Sequence, residues 1–384
     1  MILILNRFLL LIFGFLTLLA LFNPATFIAS MEEDRWAEWA TFYAFFTAFG
    51  FAIIGFIQSP KNDWKKKGCD PCEGSGGVQI RLLIPNLMFL GLALFCLLVA
   101  LEEISWGQRL FAYKPPDLFL EKNYQQELNF HNFLKNKAWV LGPIRIVLDP
   151  KYLAAYIAII YGVLFPLITF YLARWEKGLG WISTLAPTMT FIPLFTFVAW
   201  VELTYPIKFS GEAAELLLGL LFLSDLLLRI QPIALLPARL YPAFPVIVIG
   251  FVFLFGIATT WSIDFFRFGY NPDAITQTKN ELDLIRKDLL SGSVIQPSLF
   301  ESSGFHKRIF TAVESGYLRF GNRHSYFLDP WNNSYWISYQ EGRIIIYSMG
   351  PNRRRDVSFH DLTLEAFTSG GFDGDDIVMG FPFP

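Results

Sequence analysis

Long apolar runs separated by short polar segments dominate the first two thirds of the chain. A bilayer-spanning helix needs about 20 predominantly apolar residues, so windowed hydropathy predicts seven spans. They cover residues 8–28, 40–58, 82–101, 152–173, 181–201, 213–230 and 245–266. The first run resembles a secretory signal, but it is too long and shows no small-residue cleavage site, so we interpret it as an anchor.

Composition agrees with a multi-pass membrane protein. Of 384 residues, 54% are hydrophobic and only 17% are charged, against about 25% in soluble domains. The formal net charge of −2 offers no basic surface, and we expect no nucleic-acid partner. Cys96 lies inside a span, where packing is its expected role, whereas Cys69 and Cys72 fit either a turn or a redox or metal pair.

Basic residues collect in three short loops, which follow the second, fourth and sixth predicted spans. They are "KNDWKKKG" (61–68), "RWEK" (174–177), and the loop flanked by Arg229 and Arg239. The positive-inside rule places these loops in the cytoplasm. The sequence therefore predicts a bacterial cytoplasmic (inner) membrane protein with a cytoplasmic N-terminus and an extracytoplasmic, periplasmic C-terminal domain. The loop at 102–151 has Lys and Arg residues of its own and argues against this orientation.

In this orientation several separate segments deliver polar side chains to the outer face. Two of them are dense in polar residues: "LEEISWGQR" (101–109), and "NYQQELNFHN" (123–132), which predicts a short amphipathic helix. Ionisable groups near the ends of spans usually face a bundle interior or a wet cavity. The candidate catalytic residues are Glu102, Glu103, Glu127 and His131. Candidate supporting residues are Trp106, Gln108, Arg109, Asn123, Asn132, Glu202, Glu212 and Glu215, and Asp225 is a further candidate for an internal polar partner.

A purely structural interpretation stays open for the same residues. Trp106 fits the aromatic belt of a membrane interface. Glu102 and Arg109 fit an interfacial ion pair that contributes about 0–1 kcal/mol, and His131 fits a hydrogen-bonded structural histidine. A zinc site built from His131, Glu127 and Glu102 would have an unusual ligand set. No GxSxG, HExxH or P-loop motif appears, so no reaction can be assigned.

Residues 267–384 change to the composition of a small α+β domain. The segment "PDAITQTKNELDLIRKDLLSG" predicts a helix that begins just after the last span, with Ile275, Leu282 and Leu289 spaced by seven. Residues 329–332 (Asp-Pro-Trp-Asn) predict a turn. "YWISYQ" and "RIIIYSMG" predict two strands joined by a tight hairpin at Glu341-Gly342.

Three motifs follow one another in this region: "DPWNNSYW", "YSMGPN" and "DGDDIVMGF". In order and spacing, residues 246–380 resemble the C-terminal part of the major pseudopilins of type II secretion systems. The resemblance implies an extracytoplasmic module for assembly or protein contact, and a calcium (Ca2+) site at Asp375, Asp376 and Asn352; the alternative is an acidic turn without a metal. The helix "PVIVIGFVFLFGIATTW" lacks the family's processing site and glutamate, so we expect no polymerisation.

The predicted fold is a membrane all-α helical bundle of about seven transmembrane helices, followed by a small extracytoplasmic α+β pseudopilin-like domain. The polytopic domain covers residues 1–244, and 245–384 supply the last span and the pseudopilin-like domain. The expected function is assembly or protein interaction through that domain, beside an outward-facing acidic site. The alternative is a membrane-embedded enzyme that uses the Glu/His cluster on a lipid or lipid-linked substrate at the outer leaflet.

Overall fold

A computed structural model describes most of the chain, in two compact units. The first unit comprises Met1–Ile104 and Leu134–Thr260, and the second comprises Ser105–Phe133 and Trp261–Pro384. The described residues are 1–31, 35–67, 76–108, 115–116, 118–119, 128–130, 138–141, 144–147, 150–175, 186–230, 241–267, 272–290, 306–309, 312, 318, 328–331, 333–340, 343–350, 372–373 and 376–382.

The first unit is almost entirely helical. Its helices are α1 (Ile2–Phe22), α2 (Pro24–Met31), α3 (Trp36–Lys67), α4 (Gly76–Glu103), α5 (Pro150–Ile159), α6 (Phe165–Trp175), α7 (Ile192–Thr204), α8 (Ser210–Arg229) and α9 (Phe244–Arg267), the last of which runs on into the second unit. A π-helical turn, Ile160–Leu164, joins α5 to α6. A small antiparallel pair, β1 (Ala138–Leu141) and β2 (Ile144–Val147), completes this unit.

Five helices in the described part of the chain are long and apolar enough to cross a membrane, which confirms a multi-pass membrane protein. They are Ile2–Phe22, Trp36–Gln58, Ile84–Glu103, Tyr152–Trp175 and Phe244–Ser262. The other two predicted spans correspond to α7, which has only 13 residues, and to α8, which carries four charged side chains.

The predicted boundaries of the first span, 8–28, are wrong. The helix ends at Phe22, Asn23 leaves helical geometry with φ −142°, and α2 begins at Pro24. Proline has no N–H to continue the hydrogen-bond ladder, and its ring clashes with the preceding turn. The apolar run therefore divides into a long helix and a short one.

Helix α8 lies at the centre of the bundle. Small side chains let its neighbour α3 approach it closely. Along α3, Ala40, Ala44, Ala48 and Ala52 are all fully buried. A Cβ atom on Gly219 of α8 would lie only 3.1 Å from the Cβ of Ala44. Small residues at such contacts are the usual means of packing helices in a membrane. Sixteen of the 20 residues of α8 are buried.

The second unit pairs one helix with an antiparallel sheet. Helix α10 spans Pro272–Leu290, and the sheet has the strand order β3-β4-β5-β7-β6. The strands are β3 (His306–Arg308), β4 (Trp336–Gln340), β5 (Arg343–Ser348), β6 (Phe372–Asp373) and β7 (Asp376–Pro382). The predicted helix and both predicted hairpin strands are confirmed, with Gln340 paired to Arg343.

The buried face of α10 packs against this sheet, as the predicted heptad spacing requires. Leu282, Ile285 and Leu289 are fully buried in one apolar cluster with sheet residues. A polar contact adds to this packing, because the hydroxyl of Tyr335 donates a hydrogen bond of 2.6 Å to Oε2 of Glu281. The helix and the sheet thus share one apolar core, and a partly buried hydrogen bond adds to it.

Candidate functional site

The segment after α4 leaves the helix within two residues. Ser105, Trp106 and Gly107 have φ angles of 47°, 55° and 88°, so three consecutive residues adopt left-handed geometry. Only glycine adopts this region without strain. Because the helix stops at Glu103, the two-turn spacing that would place Glu102 and Arg109 on one helical face does not apply, and Arg109 lies outside the described residues.

Parts of the two dense polar segments lie against each other. The side-chain Oε1 of Gln108 accepts a hydrogen bond of 2.8 Å from the backbone N–H of Leu128. Asn129 donates a hydrogen bond of 3.3 Å from Nδ2 to Oγ of Ser105. Gln108 was a predicted site residue, whereas Ser105 and Asn129 were not, because only the folded loop brings these small polar groups into contact.

The structure describes only some of the remaining candidates of this group. Glu102 is buried and Glu103 is half-buried at the end of α4, and Trp106 is exposed. Five candidates lie outside the described residues, so the convergence of the whole set on one centre stays a prediction: Arg109, Asn123, Glu127, His131 and Asn132.

Three other predicted carboxylates influence one phenol at the turn between α7 and α8. Burial raises the pKa of Tyr205 to about 12, and the charges of Glu212, Glu215 and Glu202 act in the same direction. The ring of Tyr205 covers the first turn of α8, where a Cβ on Gly211 would lie 2.8 Å from its Cε2. Tyr205 therefore keeps its proton at neutral pH, in the field of carboxylates from two helices.

No metal centre is evident in the part of the chain that the structure describes. Within it, no group of three or more His, Cys, Asp or Glu side chains could hold a metal ion. Asp376 is fully buried at the start of β7, while Asp375 and Asn352 lie outside the described residues. The predicted calcium site therefore stays a prediction.

A polar centre also lies deep in the first unit, on the fully buried carboxylate of Asp225. Its Oδ2 lies 2.6 Å from Nη2 of Arg229 and accepts a hydrogen bond of 2.9 Å from the hydroxyl of Tyr161. Its Oδ1 accepts a weaker one of 3.4 Å from the backbone N–H of Thr188. Buried charges need such partners, because desolvation is costly otherwise.

Aromatic packing fixes the position of the tyrosine in this centre. Tyr161 lies in the π-helical turn, and its ring stacks on Phe222 at 4.7 Å with an interplanar angle of 7°. Gly162 leaves space for Phe195, whose Cγ would lie 2.0 Å from an added Cβ. The sequence shows the i, i+4 spacing of Asp225 and Arg229, but it cannot show that Tyr161 completes the centre.

A third buried polar centre lies in the second unit, around the fully buried Asp329. Its carboxylate accepts hydrogen bonds from the backbone N–H groups of Trp331 (2.9 Å) and Asn333 (2.7 Å), and from Oγ of Ser348 (2.5 Å). The side chain of Asn333 also donates to the carbonyl oxygen of Gly350 at 2.6 Å. Burial raises the pKa of Asp329 to about 7, although these hydrogen bonds oppose the shift.

Comparison with known proteins identifies no relative of this chain. No protein-family model, curated protein or solved structure matches this chain. Its function therefore has to be inferred from the residues, contacts and charges described above.

Proposed function

We propose that this protein presents a non-polymerising, pseudopilin-like domain on the outer side of a bacterial cytoplasmic membrane, where the domain assembles with another protein. The observation that carries the proposal is the hydrogen bond between Asp329 and Ser348. It joins the "DPWNN" turn to the end of the "RIIIYS" strand, so two of the three motifs that resemble the pseudopilins form one buried centre.

The order of elements supports the same proposal. An apolar helix, α9, precedes an amphipathic helix, α10, which packs on an antiparallel sheet. This is the arrangement that the resemblance implies, with the apolar helix as the membrane anchor. The anchor is itself one of the five candidate spans.

Lateral packing of α9 supports the absence of polymerisation. A Cβ atom on Gly256 would lie 2.9 Å from both the backbone nitrogen of Ala40 and the carbonyl oxygen of Trp36 on α3. The hydroxyl groups of Tyr43 and Thr259 are hydrogen-bonded at 2.8 Å. An anchor held this closely by a neighbouring helix is not free to leave the bundle and enter a filament.

The predicted orientation depends on three basic loops. The structure weakens the argument from the loop that Arg229 flanks. Arg229 is ion-paired with Asp225, so its charge is largely neutralised and contributes less to cytoplasmic retention. The basic clusters at 61–68 and 174–177 still support the predicted orientation. In that orientation the chain after α9 lies on the periplasmic side of the membrane.

Labelling of single cysteines tests this orientation. Leu284 is exposed on α10, so Leu284→Cys in a Cys69→Ser, Cys72→Ser background gives one accessible thiol in the domain; Cys96 is buried. We expect a membrane-impermeant maleimide to label it in spheroplasts before lysis. Labelling only after lysis would place the domain in the cytoplasm and contradict the proposal.

Truncation tests the assembly role. We expect the protein to migrate in a higher-mass complex on native gels of source membranes. Removal of residues 268–384 should abolish both this complex and complementation of a deletion strain. Glu103→Gln and His131→Ala should leave both unchanged. An unchanged complex after truncation would contradict the proposal.

A second candidate function is catalysis on a lipid or lipid-linked substrate at the outer leaflet. It is favoured by the turn at Tyr205, where carboxylates from two helices provide potential general bases and the neutral phenol can donate a hydrogen bond to a substrate oxygen. This function predicts the opposite pattern of mutants. Glu103→Gln, His131→Ala and Glu202→Gln would abolish complementation, whereas truncation at residue 267 would preserve part of it.

A further inference from the structure

Among the described residues of the loop that follows α4, three large apolar side chains are exposed, whereas Phe119 and several polar side chains are buried. Trp106, Leu118 and Phe130 are 38%, 49% and 52% exposed, whereas Gln108 and Asn129 are buried. A soluble surface shows the opposite distribution, because exposed apolar area is unfavourable in water. The occurrence of two exposed aromatic side chains in this short segment favours an apolar environment for them.

We propose that Trp106, Leu118 and Phe130 form an interfacial patch that inserts into the boundary between headgroups and acyl chains of the phospholipid bilayer. Tryptophan and phenylalanine on one side of a segment are typical of protein surfaces that lie in this layer. The proposal concerns the membrane face at which α4 ends, and it holds for either orientation of the chain.

The patch is held in shape by contacts within the loop. Phe130 makes edge-to-face contacts with Trp106, at 6.3 Å between ring centroids, and with Phe119, at 5.6 Å. Beneath them, the hydrogen bonds of Gln108 with the Leu128 backbone and of Asn129 with Ser105 satisfy the polar groups of the loop. The aromatic side chains are therefore preorganised to face outward.

Chain length keeps Trp106 near the membrane end of α4. The candidate span in α4 ends at Glu103, and Trp106 follows three residues later. Three Cα–Cα steps reach at most about 11 Å, and the headgroup layer on each side of the hydrocarbon core is about 5–8 Å thick. Leu94 and Leu98 of α4 are exposed as well, as expected of a helix that faces lipid.

The charge of the loop fits a phospholipid surface. Between Arg109 and Arg145 the sequence has six Lys and Arg residues against three Asp and Glu residues. Basic residues in a segment that also carries interfacial aromatic side chains favour binding to anionic headgroups. The Lys and Arg residues of this loop argue against the orientation that the positive-inside rule predicts. Binding to lipid headgroups would account for them without retention of the loop in the cytoplasm.

Depth measurement by electron paramagnetic resonance tests the patch. Nitroxide labels are placed at Phe130→Cys and, separately, at Leu118→Cys in the full chain with Cys69→Ser and Cys72→Ser, in nanodiscs of phosphatidylethanolamine and phosphatidylglycerol. We expect dissolved oxygen to relax these labels several-fold more than a water-soluble nickel complex does. The control, Leu284→Cys on the exposed face of α10, should show the reverse preference.

Two results would overturn the proposal. Nickel accessibility equal to that of the Leu284 label would place the patch in water. Shielding from both reagents would mean that protein covers it, whether a second copy or another partner. If Phe130→Cys fails to fold because its ring contacts are lost, Leu118→Cys decides the outcome, since no ring contact is removed by that change.

Discussion

Ser348, at the end of β5, donates a hydrogen bond of 2.5 Å to Oδ2 of Asp329, which lies 19 residues earlier in the chain. Both residues are fully buried. Ser348→Ala would leave the carboxylate with one donor fewer, and we expect the second unit to lose about 1–3 kcal/mol of stability. Amide hydrogen exchange of β4 and β5 in the full chain measures this loss.

Ser338 on β4 provides the matched control. It is also fully buried, but within the described residues its Oγ has no hydrogen-bond partner. Ser338→Ala should therefore leave protection unchanged or slightly increased. Equal loss of protection in both variants would show that the hydrogen bond to Asp329 contributes nothing specific.

The stability of the second unit should depend on pH through Asp329. Burial raises its pKa from 3.8 to about 7, so folding favours the protonated form. The stabilisation is complete below pH 3.8 and is lost as pH rises toward 7. Between pH 5 and pH 8 we expect a loss on the order of 2–3 kcal/mol, at about 1.4 kcal/mol for each pKa unit.

Exchange rates at pH 5 and pH 8, corrected for intrinsic chemistry, measure this dependence. Asp329→Asn cannot titrate, so its unfolding free energy should be lower than that of the wild-type at pH 5 and nearly constant across the range. A wild-type domain that is more stable at pH 8 than at pH 5 would show that the hydrogen bonds to the Asp329 carboxylate outweigh burial.

The buried ion pair predicts that substitution of Arg229 destabilises the protein much more than substitution of Arg174. Arg229→Gln leaves the carboxylate of Asp225 buried without its charged partner, which costs about 3–5 kcal/mol in such sites. Arg174→Gln removes an exposed arginine at the end of α6 and should change little. Thermal unfolding in detergent compares the two, and equal melting temperatures would contradict a stabilising role for the pair.

Two glycines of α9 differ sharply in their surroundings. Gly256→Ala introduces a Cβ 2.9 Å from backbone atoms of α3, whereas Gly250→Ala meets nothing within 4 Å. Backbone atoms cannot move aside cheaply, so we expect Gly256→Ala to destabilise the bundle by about 1–3 kcal/mol. Gly250→Ala should be neutral or slightly stabilising, because alanine favours helix. Melting temperatures in detergent test both.

The contact between α10 and the sheet can be measured as a coupling energy. Tyr335→Phe and Glu281→Gln each weaken the hydrogen bond of 2.6 Å between these residues. A double-mutant cycle should give a coupling of about 1 kcal/mol, because Glu281 is only half-buried. Additive effects would mean that α10 is held by apolar packing alone.

The sequence by itself determined the class of protein and most of its elements. Apolar runs of about 20 residues can only be satisfied in a membrane as helices, since each backbone group must be paired internally. Heptad spacing around Leu282 determines α10, because side-chain periodicity reflects local geometry. The β-branched and aromatic residues of "YWISYQ" and "RIIIYSMG" determine β4 and β5.

Only the tertiary structure decided which polar groups meet. Tyr161 joins Asp225 across 64 residues, Asn129 joins Ser105 across 24, and Ser348 joins Asp329 across 19. The two residues of each pair are too far apart in the sequence for helix or strand periodicity to predict their contact. Their partners are set by the packing of distant segments, in which a buried polar group is stable only where another segment supplies its hydrogen bond.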